Sequence, residues 1–220
     1  MMRYIAVAAA AVALGTSPAT ADTVSYGTNT SQQVSCAPGC TATVQYSFAS
    51  SLFSTAGYID SLTFFLQPNA ATPLSIFLST AATQVGSMSS TLSANRGSDF
   101  ASFYDGTVAG VDAGARTFDG QSFFYDPSAG DLLLEIRGDG LRNLTSAVSY
   151  TPGQVQRVYT FNSFANKDSG IVDSDAGLTT RFGFTPAAVP EPGTWALMIA
   201  GFAAVGFAMR RGERRRLAAA

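Results

Sequence analysis

A rhythm of short apolar runs constrains this chain most. Between residues 23 and 188, runs rich in apolar, aromatic and β-branched residues recur at 41–48, 58–66, 74–79, 100–104, 117–125, 131–137, 155–161 and 178–185. Turn chemistry separates them: Pro38-Gly39, Asp105-Gly106, Asp119-Gly120, Asp126-Pro127, Gly138-Asp139-Gly140 and Pro152-Gly153. Several runs alternate with the period of a half-buried strand. In 58–66, Ile59, Ser61, Thr63 and Phe65 take one side, and Tyr58, Asp60, Leu62 and Phe64 the other. No long stretch of this body has the 3.6-residue period of a helix, and no fixed repeat marks a solenoid. Aromatic side chains from Tyr26 to Phe184 can fill a substantial core. The expected fold is all-β: an antiparallel β-sandwich, jelly-roll-like, flanked by a helix at each end.

The N-terminal end reads as a signal peptide over residues 1–21. Arg3 supplies a short positive region, 5–14 is apolar, and Ala19-Thr20-Ala21 fits small-x-small cleavage after Ala21. Ten apolar residues are too few to span a bilayer, which needs about 20. A body over 22–188 follows, then a segment over 189–216. There Pro190, Glu191 and Pro192 interrupt regular structure, Trp195 opens a charge-free run, and the expected transmembrane helix covers about 194–209. Arg210 and Arg211 begin a basic tail over 210–216 that suits the cytoplasmic side. The span is short, about 24 Å at 1.5 Å per residue, and its small residues leave room for another helix.

This order of elements resembles the PEP-CTERM sorting signal in its PEPxxWA form. The matching residues are Pro190-Glu191-Pro192, Trp195-Ala196, the apolar core with Gly201 and Gly206, and the terminal arginines. The same tail also goes under the label ice-binding protein C-terminal domain, which describes the tail and not the body. The resemblance implies export from a Gram-negative cell and cleavage near the motif by exosortase. Pro190, Glu191 and Pro192 are then substrate residues. The stretch 123–137, with 157–159 and 177–182, is similar to motifs of PEP-CTERM jelly-roll ectodomains. Within it, Asp126-Pro127 starts a turn that Gly130 closes, and the expected result is a hairpin whose second strand is apolar on both faces. The implied partners are exosortase, the Sec export machinery, the inner membrane before processing, and extracellular polysaccharide. The implied destination is the cell surface or the medium, reached through a transient membrane anchor.

Charge and missing residue types limit the chemistry. The formal net charge of −2 averages a body that is acidic against a strongly basic tail. Dispersed arginines on an acidic body do not form a phosphate-binding surface, so nucleic acid is not an expected partner. The chain has no histidine, which excludes Ser-His-Asp and Cys-His hydrolysis and His-ligated zinc. Glu135 is the body's one glutamate, and most of its aspartates sit at Gly or Pro turns, where short carboxylates cap the backbone. No catalytic residue and no cofactor are expected.

Cys36 and Cys40 flank a Pro-Gly turn. In an exported chain such a pair favours a disulfide, with free thiols or a redox pair left open. Asp168, Asp173 and Asp175 form the densest acidic cluster. They are weak candidates for a structural calcium ion, although their spacing departs from the EF-hand loop. The function expected is a non-catalytic, exosortase-sorted surface or matrix-associated protein that binds exopolysaccharide weakly through exposed aromatics such as Tyr104 or Tyr125. The alternative is a carbohydrate-active enzyme, or a surface or ice adhesin, on the same sandwich.

Overall fold

The computed structural model describes residues 22–28, 33–34, 40–66, 71–109, 114–138, 146–161, 168–174, 176–187 and 192–217. The expected signal peptide over 1–21 lies outside the described residues, as do Cys36, Asp175, Pro190 and Glu191. The strands in chain order are β1 (Asp22–Tyr26), β2 (Gln33–Val34), β3 (Cys40–Phe48), β4 (Gly57–Leu66), β5 (Thr72–Thr80), β6 (Ala101–Val108) and β7 (Gly114–Tyr125). They continue as β8 (Leu132–Arg137), β9 (Ser146–Tyr150), β10 (Val155–Phe161), β11 (Ile171–Ser174), β12 (Ala176–Leu178) and β13 (Thr180–Pro186), before the helix α1 (Pro192–Leu217).

The strands form two sheets in which every pairing is antiparallel. One runs β11-β10-β3-β8-β5-β6. The other runs β1-β13-β4-β9-β12, with β7 also on β4 and β2 on β9. Alternation places Val44, Tyr46 and Phe48 of β3 and Leu132, Leu134 and Ile136 of β8 in one shared core with Leu62 and Phe64 of β4 and Phe182 of β13. Phe48 meets Tyr26 and Phe182 of the other sheet edge to face, each with centroids 5.3 Å apart. Full burial of such a side chain contributes roughly 1.5–3 kcal/mol, so the aromatic core dominates the stability of this body.

Three local expectations are corrected. Asp105-Gly106 and Asp119-Gly120 do not turn the chain; they lie inside β6 and β7. Asp105 accepts a cross-strand hydrogen bond from Ser75 Oγ (2.7 Å). Gly120 sits where the β4–β7 register shifts, and Phe103 occupies the space its Cβ would need, so glycine here serves close approach and a bulge. Asp126-Pro127 does turn the chain, but the flanking strands do not form the expected hairpin. β7 pairs with β4, whereas β8 lies between β3 and β5, so the turn carries the chain from one sheet to the other. The expected strand over 178–185 is two strands, broken at Thr179, because β12 pairs with β9 while β13 pairs with β1 and β4.

The chain divides into two compact units, Met1–Pro186 and Ala187–Ala220. Among the described residues, no helix is long and apolar enough to cross a membrane.

Candidate functional site

Three surfaces deserve a functional reading: the tail helix, the outer face of the β3–β8–β5 sheet, and a polar pocket beside β9. The helix α1 starts at Pro192, earlier than the break expected there, and continues through the arginines to Leu217. Proline is compatible with a first helical position because its missing N–H needs no partner there. Arginines at the C-terminal end complement the helix dipole. Trp195, Leu197, Ile199, Phe202, Val205, Phe207 and Met209 are all exposed, and Arg210 and Arg211 are exposed beyond them. Large apolar side chains thus stand exposed along the helix from Trp195 to Met209.

The outer face of the six-stranded sheet is covered by the connection from β5 to β6. Met88 and Leu92 of that connection pack on Leu133 and Val158. Underneath, Glu135 is fully buried and stands in register between Gln45 and Phe77. Its carboxylate accepts from Arg96 Nε (2.8 Å) and Nη2 (3.0 Å), from Gln45 Nε2 (2.6 Å) and from Arg137 Nε. Gln45 Oε1 accepts in turn from Asn95 Nδ2 (2.9 Å). The Arg137 guanidinium lies 4.2 Å from the centre of the Phe77 ring, which stacks on Phe100. Nothing in the sequence placed Arg96 beside Glu135, because 39 residues separate them. The arrangement satisfies a buried carboxylate with two cations and an amide. It leaves that carboxylate no open side for a substrate, so its role is to pin the covering connection.

Of the acidic candidates, Asp168 and Asp173 lie among the described residues, and each has partners of its own. The Asp168 carboxylate accepts from Ser93 N (2.8 Å) and Ser93 Oγ, whereas Asp173 pairs with Arg157 across β10 and β11. Among the described residues, no group of three His, Cys, Asp or Glu side chains could hold a metal ion. The Cys40 side chain, like Cys36, lies outside the described residues. Tyr125 is corrected as a surface aromatic. It is fully buried, its hydroxyl donates to Gly130 O (2.7 Å), and burial, with Asp131 and Asp126 nearby, pushes its phenol above the usual tyrosine range. Tyr104 is only partly exposed and packs edge to face on Phe118. Among the described residues of the body, the exposed large ring side chains are instead Tyr58 and Phe124, paired across β4 and β7, and Tyr150 at the end of β9. Alternation in β4 and β7 could have flagged the first two; Tyr150 lies in a strand the sequence did not announce.

The pocket has a volume of about 580 Å³ and is formed where the end of β1, the 3-10 turn Ser50–Leu52 and the β9–β10 turn meet. Gly27 allows its floor: its φ of +75° is left-handed, and a Cβ there would overlap the Ser149 hydroxyl. Tyr150 stands at the side, 57% exposed.

Residues 188–215 match the family model for the PEP-CTERM protein-sorting motif. The chain therefore carries a two-sheet antiparallel body followed by this sorting motif, which marks it for export, exosortase processing and the cell surface. No curated protein and no solved structure matches the chain.

Proposed function

We propose that this is a non-catalytic surface or extracellular matrix-associated protein whose body is delivered by its tail and binds exopolysaccharide weakly. The observation that carries the reading is the PEP-CTERM motif over 188–215, ending a chain whose buried carboxylate is occupied by structural partners. Fully antiparallel pairing and one shared aromatic core support a jelly-roll-like sandwich. A signal peptide over 1–21, cleaved after Ala21 during Sec export, would begin the mature chain at the first residue of β1. Cys36 and Cys40 would close a small disulfide loop on export. In the unprocessed chain, the exposed apolar side chains of α1 would enter the inner membrane and pack against exosortase, with Arg210 and Arg211 at the cytoplasmic surface.

The test is Glu191→Ala in the native host. Wild-type protein is expected to appear as a shortened, released form only in cells with exosortase, and the variant to remain full-length and cell-bound. Release of a shortened variant would overturn the sorting reading. Retention of wild-type protein on the host's exopolysaccharide tests the matrix role separately.

A further inference from the structure

We infer that the pocket beside β9 is a binding subsite for neutral saccharide, with Tyr150 as its stacking platform. This rests on the polysaccharide-binding reading and gives it an address.

Six of the residues that line the pocket carry a hydroxyl or an amide (Ser25, Thr28, Ser149, Tyr150, Thr151 and Gln154), and Leu52 adds an apolar side chain. None of the described lining residues is charged, so a carboxylated, phosphorylated or ammonium ligand would enter without a counter-charge. A purely alkyl ligand would find contact at Leu52 but leave the remaining hydroxyls and the amide without partners. A polyhydroxylated, uncharged ring satisfies both conditions. Its hydroxyls exchange hydrogen bonds with Ser, Thr and Gln, and its C–H face lies on an aromatic ring.

What marks this place is that hydroxyls without a partner among the described residues gather around one concavity. On the strands several others are used within the fold: Thr63 with Thr117, Ser75 with Asp105, Ser122 and Thr185 with Asp60, and Thr80 with Asp99. Inside the pocket only Ser149 is engaged, with Thr179 at 2.9 Å and through further contacts. The side chains of Ser25, Thr28, Thr151 and Gln154 make no hydrogen bond among the described residues and are available to a ligand.

The frame around them is fixed. The Tyr26 hydroxyl donates to Ser149 O (2.8 Å), tying β1 to β9. Gln154 N donates to Thr151 O (3.2 Å), and Gln154 O accepts from Ala49 N (2.9 Å). The donors therefore need little ordering on binding, which lowers the entropic cost of a weak ligand. The pocket volume and its open side suit a few sugar units of a chain better than a sealed small molecule.

The experiment is affinity electrophoresis of the full chain in mild detergent. The native gels contain soluble β-glucan, galactomannan or xylan, with alginate as an acidic comparison. Wild-type protein should be retarded by at least one neutral polymer and not by alginate. Tyr150→Ala should weaken that retardation by about tenfold or more, with an unchanged melting temperature, while Tyr150→Phe should retain it. Free migration of wild type in all three neutral polymers overturns the inference, as does retardation of Tyr150→Ala equal to wild type. If the host's exopolysaccharide holds Tyr150→Ala as well as wild type, the subsite fails and the matrix reading stands. If it holds neither while a neutral gel still distinguishes them, the matrix reading fails and the subsite stands.

Discussion

The two sheets turn very different outer faces to the world. On the β3–β8–β5 face, the connection from β5 to β6 excludes water, and residues at outward positions of the strands (Gln45, Ser47, Glu135) are fully buried. On the β13–β4–β7 face, no such cover lies among the described residues. Asp60, Thr63 and Thr117 stay in solvent, and Tyr58 pairs with an exposed Phe124. The same alternating pattern therefore yields two kinds of polar residue. Under the cover, taking a partner from a matched charge such as Glu135 costs several kcal/mol, while the Ser47 hydroxyl is buried there without a partner among the described residues; in solvent, water substitutes for any lost partner.

Glu135→Ala gives the largest expected effect. It leaves Arg96 and Arg137 without their shared carboxylate beneath the cover, and chemical denaturation should record a loss of about 3–5 kcal/mol. An equal loss on truncating a carboxylate of the open face would erase the distinction. Tyr125→Phe, between the sheets, should cost about 1 kcal/mol at neutral pH by removing the bond to Gly130 O. Because the native phenol is held above its ordinary value of about 10, its stabilising effect is complete below that pH and is lost as pH rises further. The alkaline fall in stability should be shallower in Tyr125→Phe; an identical fall would show that other groups govern it. Asp60→Ala, on the open face, removes the acceptor for Ser122 and Thr185 and should change stability by no more than about 0.5 kcal/mol. A loss above 2 kcal/mol there would mean that this face is covered too.

Much of this was readable in advance where the cause is local. The runs at 41–48, 58–66, 74–79 and 155–161 fall on β3, β4, β5 and β10 almost residue for residue, because period-two alternation reports a buried face directly. The short strands β1, β2, β9 and β11 escaped notice because they carry too few residues to show a period. Glycine and aspartate misled where the need was tertiary. Gly120 reads as a turn in sequence but answers to Phe103, from another strand. The double-faced apolarity of β8 looked like half of a hairpin. It instead reflects a central strand with the core on one side and a covering connection on the other.

The sequence by itself determined the class of fold and the destination. Strand periodicity is a property of neighbouring residues, and the tail from Pro190 to the arginines is a linear signal that matches its family model as a string. Only the tertiary structure decided which sheet face is covered, where Glu135 finds its cations, and which aromatic stands beside a pocket of uncommitted hydroxyls. Those facts depend on contacts between residues such as Gln45 and Asn95, or Gly27 and Ser149, that lie far apart along the chain and are brought together only when two sheets close over one core.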